Sequence, residues 1–494
     1  MTVEPGVVHG HVGAVETHIS LLFFVGDRVY KARKPVRYGF LDFSSREARE
    51  ADCHRELVVN RRYAPDVYLG VYDIAEAARP LDHVVVMRRL PADRRLSTLV
   101  SAHEVSRSDL AAVVRTLLSC EAGAAHAPEI EAEARVETLQ AVWDASSAEL
   151  APFVGSVIDP VADKRVLRLE EDYLAGREPL LDGRIRAGRV RDGHGDLRAE
   201  DIFMLDDGPR ILDCIEFDDH LRYGDVLADI GFLAMDLEHL GEPELARGLF
   251  ESYAELSGDR FPCSLAAYYC GARAYVRAKV SCLAIANGPA GAAEEARLHH
   301  GLARSFLERA RVQLVLVGGL PGTGKSTLAA AAGRAIGAVV LRSDEIRHEL
   351  ARQAVSCSDL YSDSMTQATY DRLLEMSRRS LEMGESVILD ASWTHERHRA
   401  AARALAGITR SEPVELCCTA PSETSERRIE ERRLRGDDIS DATIQVARAM
   451  SAAADPWPSS TEIDTSLAPD DSLVAALSVL GKEPPLASRV LRTP

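Results

Sequence analysis

The spacing of apolar and polar positions changes along this chain, and the changes mark its elements. Over residues 18–43 the stretch HISLLFFVGDRVYKARKPV alternates, turns and alternates again. A period of two on either side of Gly26-Asp27 predicts a β-hairpin. The following REAREADCHRELVVNRRYA carries apolar residues at 3.6-residue spacing and predicts a helix. HVVVMRRL, 83–90, reads as a short strand leaving into a connector. Residues 105–185 and 225–310 read as mostly helical, the second span broken at ANGPAG, 286–291, and the strand-like PRILDCIEF, 209–217, lies between them. The order is a small strand-rich lobe followed by a large helical lobe, an α+β arrangement.

From about residue 311 the pattern becomes a regular alternation. VQLVLVGG, AVVLRSD, ESVILDAS, PVELCCTA and TEIDTS are short apolar runs of buried-strand length, separated by helical segments. That pattern predicts an α/β domain, a parallel sheet with helices on both faces. The boundary is expected at the end of the helix ARLHHGLARSFLERA, 296–310. The expected organisation is therefore a two-lobed domain over 1–308, with lobes at about 1–90 and 91–308, and an α/β domain over 309–494. No Gly/Ser-rich linker separates them, so close coupling is expected.

Composition narrows the function classes. A chain of 494 residues is too long for one ordinary core. Hydrophobic content of 46% and charged content of 28% fit a soluble globular protein. A formal net charge of −18 disfavours a broad grip on a nucleic-acid backbone, and Trp143, Trp393 and Trp457 are too scattered to form a stacking platform. The nine cysteines show no CxxC pair or metal spacing, and Cys417 and Cys418 lie in an apolar run and read as buried thiols. A reducing, cytoplasmic setting is expected. No signal-peptide pattern opens the chain and no run of about 18 apolar residues occurs, so no membrane association is expected.

The chemistry is clearest at GGLPGTGKST, 318–327, where Gly319, Gly324, Lys325 and Ser326 satisfy G-x-x-x-x-G-K-[ST] between a strand and a helix. Gly322, Thr323 and Thr327 belong to the same loop. Backbone N–H groups must converge on phosphate oxygens there, and a Cβ at the glycines would crowd them. Lys325 is expected to reach the outer phosphates of ATP and the Ser326 hydroxyl to bind Mg²⁺. Asp344, just past the second strand, lies at the carboxyl edge where such sheets bind ligands, and Arg347 shares its helix face. The carboxylate can take a proton from a substrate hydroxyl and the arginine can hold a phosphate; an N-cap Asp with a surface Arg is the bland alternative. Asp390 ends the strand SVILD, where it can orient Mg²⁺. Arg428, Arg432 and Arg435 form a stripe on SERRIEERRLRGDD suited to a lid, or to a solvated charged helix. GLPGTGKST, LRSDEIR, VILDASW and the lid arginines together resemble the P-loop kinases of small molecules and polynucleotides, over residues 311–480. The resemblance implies Asp344 as general base and Arg347 as substrate or phosphate contact. It also implies an arginine after VILDA, which Arg399 fits with Arg397 as competitor.

A second constellation lies at RDGHGDLRAEDIF, 191–203. His194-Gly195-Asp196-Leu197, with Asp201 five residues after Asp196, parallels the kinase loop H-R-D-L-x-x-x-N, with Gly for Arg and Asp for Asn. Asp196 is placed to orient a substrate hydroxyl and Asp201 to hold Mg²⁺. Asp213 follows at the end of ILD, as a second metal-binding aspartate would. The order HGDL…LDC…RYGDV looks like the aminoglycoside phosphotransferase family, a kinase-like fold. That resemblance implies Asp196 as catalytic base and Asp213 as Mg²⁺ ligand, with Glu216 a competing ligand and Asp225 and Asp229 supporting the next helix. Lys31 ends the second hairpin strand where a lysine grips donor phosphates, with Lys34 as the alternative, and Glu56 is placed to pair with it. No G-x-G-x-x-G occurs, which argues against a protein kinase and leaves an inactive first domain open.

Nearly the whole chain resembles bacterial fusions of an aminoglycoside-phosphotransferase-like domain with a P-loop kinase. The implied activity is ATP- and Mg²⁺-dependent phosphorylation of a hydroxyl on a small-molecule acceptor, aminoglycoside-, aminocyclitol- or sugar-like. The competing expectations are a nucleotide-binding regulator and a polynucleotide 5′-hydroxyl kinase, the latter disfavoured by the acidic balance.

Overall fold

The computed structural model describes residues 13–17, 19–38, 41–76, 79–285, 291–353, 360, 362–435 and 443–481. The break expected at ANGPAG falls mainly outside these residues, as does the side chain of Arg435. The chain forms two compact units. The first takes residues up to Arg165, Leu181–Phe261 and Ala266–Phe306; the second takes Val166–Leu180, Pro262–Leu265 and everything from Leu307. The linear boundary expected at 308/309 lies beside the observed step at 306/307, but a single cut does not capture the two inserted segments.

In the first unit, the hairpin strands Ser20–Val25 and Arg28–Arg33 pair antiparallel around Gly26, whose φ of +59° suits a residue without Cβ. Gly13–Glu16 extends the sheet on one side, and Arg79–Arg88 followed by Tyr68–Glu76 on the other, giving five antiparallel strands. The helix Arg46–Asn60 begins at Ser45, whose side chain accepts from the Ala48 N–H. It packs on the sheet through Cys53 against Val29, Val67, Tyr68, Val85 and Met87. The same helix also buries Arg49, Asp52 and Glu56. Buried charges need partners, so this face already points to a built polar site.

The large lobe is mainly helical, and two short antiparallel pairs hold its functional loops together. Ile202–Leu205 pairs with Gly208–Ile211, and Val190–Asp192 with Tyr223–Asp225. The strand expected over 209–217 stops at Ile211, because Asp213 takes φ +63°, which ends extended backbone.

The second unit is a five-stranded parallel sheet in the spatial order Val339–Arg342, Val387–Asp390, Gln313–Gly318, Glu412–Thr419, Thr461–Asp464. Every residue of the central strand Gln313–Gly318 is buried, as an apolar run between two helical layers requires. Leu314 and Leu316 face one core with Leu373, Leu389 and Trp393. Val315 and Val317 face the other with Leu328, Leu416 and Leu477. Burying such side chains contributes about 1.5–3 kcal/mol each. Both architectures, α+β in the first unit and α/β in the second, are those expected from the sequence.

Candidate functional site

In the first unit, Lys31, Glu56 and Asp213 meet through ion pairs. Lys31 and Arg33 lie two apart on one strand and therefore share a face. Lys31 Nζ lies 2.8 Å from Glu56 Oε1 and 2.8 Å from Asp213 Oδ1. Burial opposes the ammonium charge, but Asp213 and Glu56 overcome it and hold Lys31 well above its usual range. Arg33 takes the other Glu56 oxygen at 2.9 Å and also bonds Asp52, Ser20 and Glu216. Lys34, the alternative phosphate lysine, instead donates to Glu16 Oε1 at 2.8 Å and to the Thr17 carbonyl at 2.9 Å, on the exposed side. Glu216, weighed as a metal ligand, is committed to Arg33 inside the fold, and burial pushes its carboxyl up to about 7.

The loop after Val190–Asp192 is held from below by the helix Val226–His239. Asp229 accepts from the N–H groups of His194 at 2.7 Å and Gly195 at 3.0 Å, and Asp236 accepts from Ala199 N–H at 2.8 Å. Asp225 caps its own helix at Leu227 N–H and forms a two-point pair with Arg184. Asp229 thus supports the loop rather than the helix. His194 is fully buried, its Nε2 3.0 Å from the Leu212 carbonyl, and burial lowers its pKa. Gly195 adopts φ +88°, where a Cβ would lie 2.8 Å from the Leu221 carbonyl.

Within this loop Arg198 reaches Asp196 at 3.3 Å and Asp201 at 3.2 Å, and also pairs with Glu200. Asp213 is held well below the usual carboxylate range, first by Lys31. Asp201 is pushed well above it by burial, against the pull of Arg198. Its Oδ2 makes an ion-pair contact but no hydrogen bond among the described residues. Asp196, Asp201 and Asp213 thus share two cations, Lys31 and Arg198, and this oxygen-only donor set fits a hard divalent cation such as Mg²⁺. Arg33 and Arg198 carry no signature of their own in the sequence; the period of two from Lys31 is the one signal for Arg33.

In the second unit, the central strand feeds the loop 319–324, and the helix Lys325–Ile336 begins at Lys325. Gly319 has φ +138°, and an added Cβ would lie 2.6 Å from the Cys418 carbonyl. Thr323 Oγ1 donates to the Leu320 carbonyl at 2.8 Å, and Thr465 Oγ1 donates to the Thr323 carbonyl. Arg428 donates to the Thr465 carbonyl at 2.8 Å and lies 3.5 Å from the Gly322 carbonyl. It therefore braces the glycine loop, whose Gly322 and Gly324 both have positive φ. Lys325 and Ser326 are half-buried at the helix start and Thr327 is exposed.

Asp390 ends its strand in register with Val317 and Arg342. It is buried; one oxygen takes Arg342 Nε at 3.2 Å, and Oδ1 has no hydrogen-bond partner among the described residues. A buried orphan carboxylate oxygen beside the phosphate loop fits a hydrated Mg²⁺. Asp344 is half-buried, and Arg347 is buried rather than on the surface, donating to the Leu360 carbonyl at 3.3 Å. Both act on the buried Tyr370 hydroxyl, which accepts from Trp393 N–H at 3.1 Å and lies 3.3 Å from Ser392 Oγ. Tyr370 and Ser392 had no motif to mark them beyond the neighbouring VILDAS. Arg432 is half-buried on Ser422–Arg435, the helix that carries Arg428.

Arg399 is buried and donates to the Trp393 carbonyl, the Pro456 carbonyl and Glu396, with its guanidinium over the Trp457 ring. These contacts make it a structural brace. Its competitor Arg397 bonds the neighbouring His398 ring.

Among the described residues no helix is long and apolar enough to cross a membrane, and every described cysteine is free. Residues 314–457 match the family model described as an AAA domain. Over 459 residues, 91% of this chain, the sequence is 39% identical to uncharacterized proteins of Mycobacterium tuberculosis (Rv2004c) and Mycobacterium bovis (Mb2027c), 92% of each being covered. Among solved structures, a choline/ethanolamine kinase family protein from Mesorhizobium loti matches at 15% identity, covering 60% of this chain and 94% of that one, with a TM-score of 0.39. The APS kinase CysC of Mycobacterium tuberculosis matches at 22% identity, covering 35% and 99%, with a TM-score of 0.29. A sugar kinase from Janibacter matches at 18%, covering 35% and 96%, with a TM-score of 0.28.

Proposed function

On the premise that this chain belongs to the family of the Mycobacterium tuberculosis protein Rv2004c, we propose that it is a cytoplasmic, ATP-dependent phosphotransferase. It would move a γ-phosphate to a hydroxyl of a small molecule, aminoglycoside-, aminocyclitol- or sugar-like, in the first unit. A second nucleotide would bind in the P-loop unit. One observation carries this reading: Lys31 is fixed between Glu56 and Asp213 beside the loop that presents Asp196. Catalysis of phosphoryl transfer is mainly positioning and charge neutralisation, and these residues supply both.

In the first unit, Lys31 binds the donor phosphates while Glu56 fixes its position. Asp196 orients the acceptor hydroxyl and takes its proton as the new O–P bond forms and the bond to the ADP oxygen breaks. Asp201 and Asp213 would hold Mg²⁺, which when bound supplies positive charge against the phosphates. Asp229 keeps the loop in place through its two backbone N–H groups. In the second unit, the loop amides and Lys325 bind the phosphates, and Ser326 and Asp390 would hold the metal. Asp344 would take the acceptor proton, and Arg347 would contact phosphate.

The test is incubation with γ-labelled ATP and a panel of hydroxyl compounds. A labelled product that is lost in Asp196→Asn and kept in Lys325→Ala assigns the reaction to the first unit. A second reading is favoured by Arg198, whose ion pairs neutralise Asp196 and Asp201. That suits a unit that binds nucleotide without turnover and acts as a regulator. Nucleotide binding with no labelled product across the panel would favour it.

A further inference from the structure

We propose that His239, Glu295 and His299 form a site for one divalent ion of the Zn²⁺ type in the first unit. The donors come from two helices. Glu295 and His299 are four apart on Ala292–Ala310 and share a face, and His239 is the last residue of Val226–His239. One donor atom from each residue lies within 4.8 Å of the others. His239 Nε2 is 3.3 Å and His299 Nδ1 3.7 Å from the same Glu295 oxygen. Around a tetrahedral ion with bonds of about 2.0–2.1 Å, donors stand about 3.3–3.4 Å apart, so side-chain rotation alone closes the site.

The environment favours a metal over a plain ion pair. The two imidazoles stack with centroids 4.3 Å apart at 22°, a poor arrangement for two protonated rings. His299 Nδ1 lies 2.9 Å from the Glu295 carbonyl. Binding of the ion through Nδ1 would exchange this contact for the bond to the metal. Two nitrogens and one carboxylate select a Zn²⁺-type ion over Mg²⁺ or Ca²⁺ and leave a coordination position open.

The helix that ends in His239 also carries Asp229 and Asp236, which hold the 193–199 loop. A bound ion would tie the far end of that helix to Ala292–Ala310 and steady the loop from behind. The site does not depend on the phosphotransferase reading.

Full-length protein stripped with chelator is titrated with Co²⁺ and followed by visible absorption, with Zn²⁺ added as competitor. His239 and Glu295 are accessible enough to substitute without emptying the core. The expected result is one Co²⁺ per chain with visible bands that Zn²⁺ abolishes. His239→Gln and Glu295→Gln should each weaken binding by about tenfold or more, and Zn²⁺ should raise the melting temperature of the wild type more than that of either variant. Absence of those bands in the wild type, or equal Co²⁺ affinity in the wild type and both variants, would overturn the proposal and leave a His–Glu ion pair.

Discussion

Lys31 joins two carboxylates that lie 25 and 182 residues away in sequence, and its removal tests the first unit most sharply. Lys31→Ala leaves the fully buried Glu56 paired with Arg33 alone among the described residues. Breaking one side of a buried pair costs about 3–5 kcal/mol, to be read by urea unfolding, and phosphate transfer should fall by two orders of magnitude or more. Arg198 predicts the opposite sign for metal binding. Because it competes for Asp196 and Asp201, Arg198→Ala should tighten Mn²⁺ binding about tenfold, as measured by electron paramagnetic resonance without nucleotide. Unchanged or weaker binding would show that Arg198 does not compete. The Lys31, Glu56 and Asp213 cluster was legible because the kinase-like resemblance places Lys, Glu and Asp in that order along the chain. Arg33 and Arg198 were not, because their partners are set by folding and not by spacing. The bracing role of Arg399 was illegible for the same reason: nothing in its sequence neighbourhood shows that two carbonyls and an indole ring claim its guanidinium.

At the scale of elements, a loop is only as precise as the helix beneath it. Gly193 closely faces the Asp229 carboxylate, and a Cβ there would collide with it. Gly193→Ala should therefore cost about 1–3 kcal/mol and lower transfer. A variant of wild-type stability and activity would show that the Asp229 anchor is dispensable. The five strands of the second unit were readable because each is a short apolar run that ends near a turn or helix start. The strand at 209–217 was over-read because side-chain pattern carries no record of the positive φ at Asp213.

At the scale of the whole molecule, stability depends on pH through buried imidazoles. His398 is buried in the second unit and stacks on Tyr370, with centroids 3.9 Å apart. Burial, then Arg397 and His395, lowers it from 6.5 to about 4. The unfolded chain therefore takes up the proton first as pH falls below 6.5. Its contribution is full above pH 6.5 and is lost progressively down to pH 4, up to roughly 3 kcal/mol. His398→Gln should flatten that part of the melting profile. The division into units was only partly legible, since contacts assign Val166–Leu180 and Pro262–Leu265 to the second unit although both lie far from it in sequence.

The central claim is that two separately built sites each take a nucleotide, and calorimetry with Mg-ATP tests it most directly. The account predicts two bound nucleotides per chain, one lost in Lys31→Ala and the other in Lys325→Ala. A single bound nucleotide that disappears entirely in Lys325→Ala, with Lys31→Ala unchanged, would contradict it.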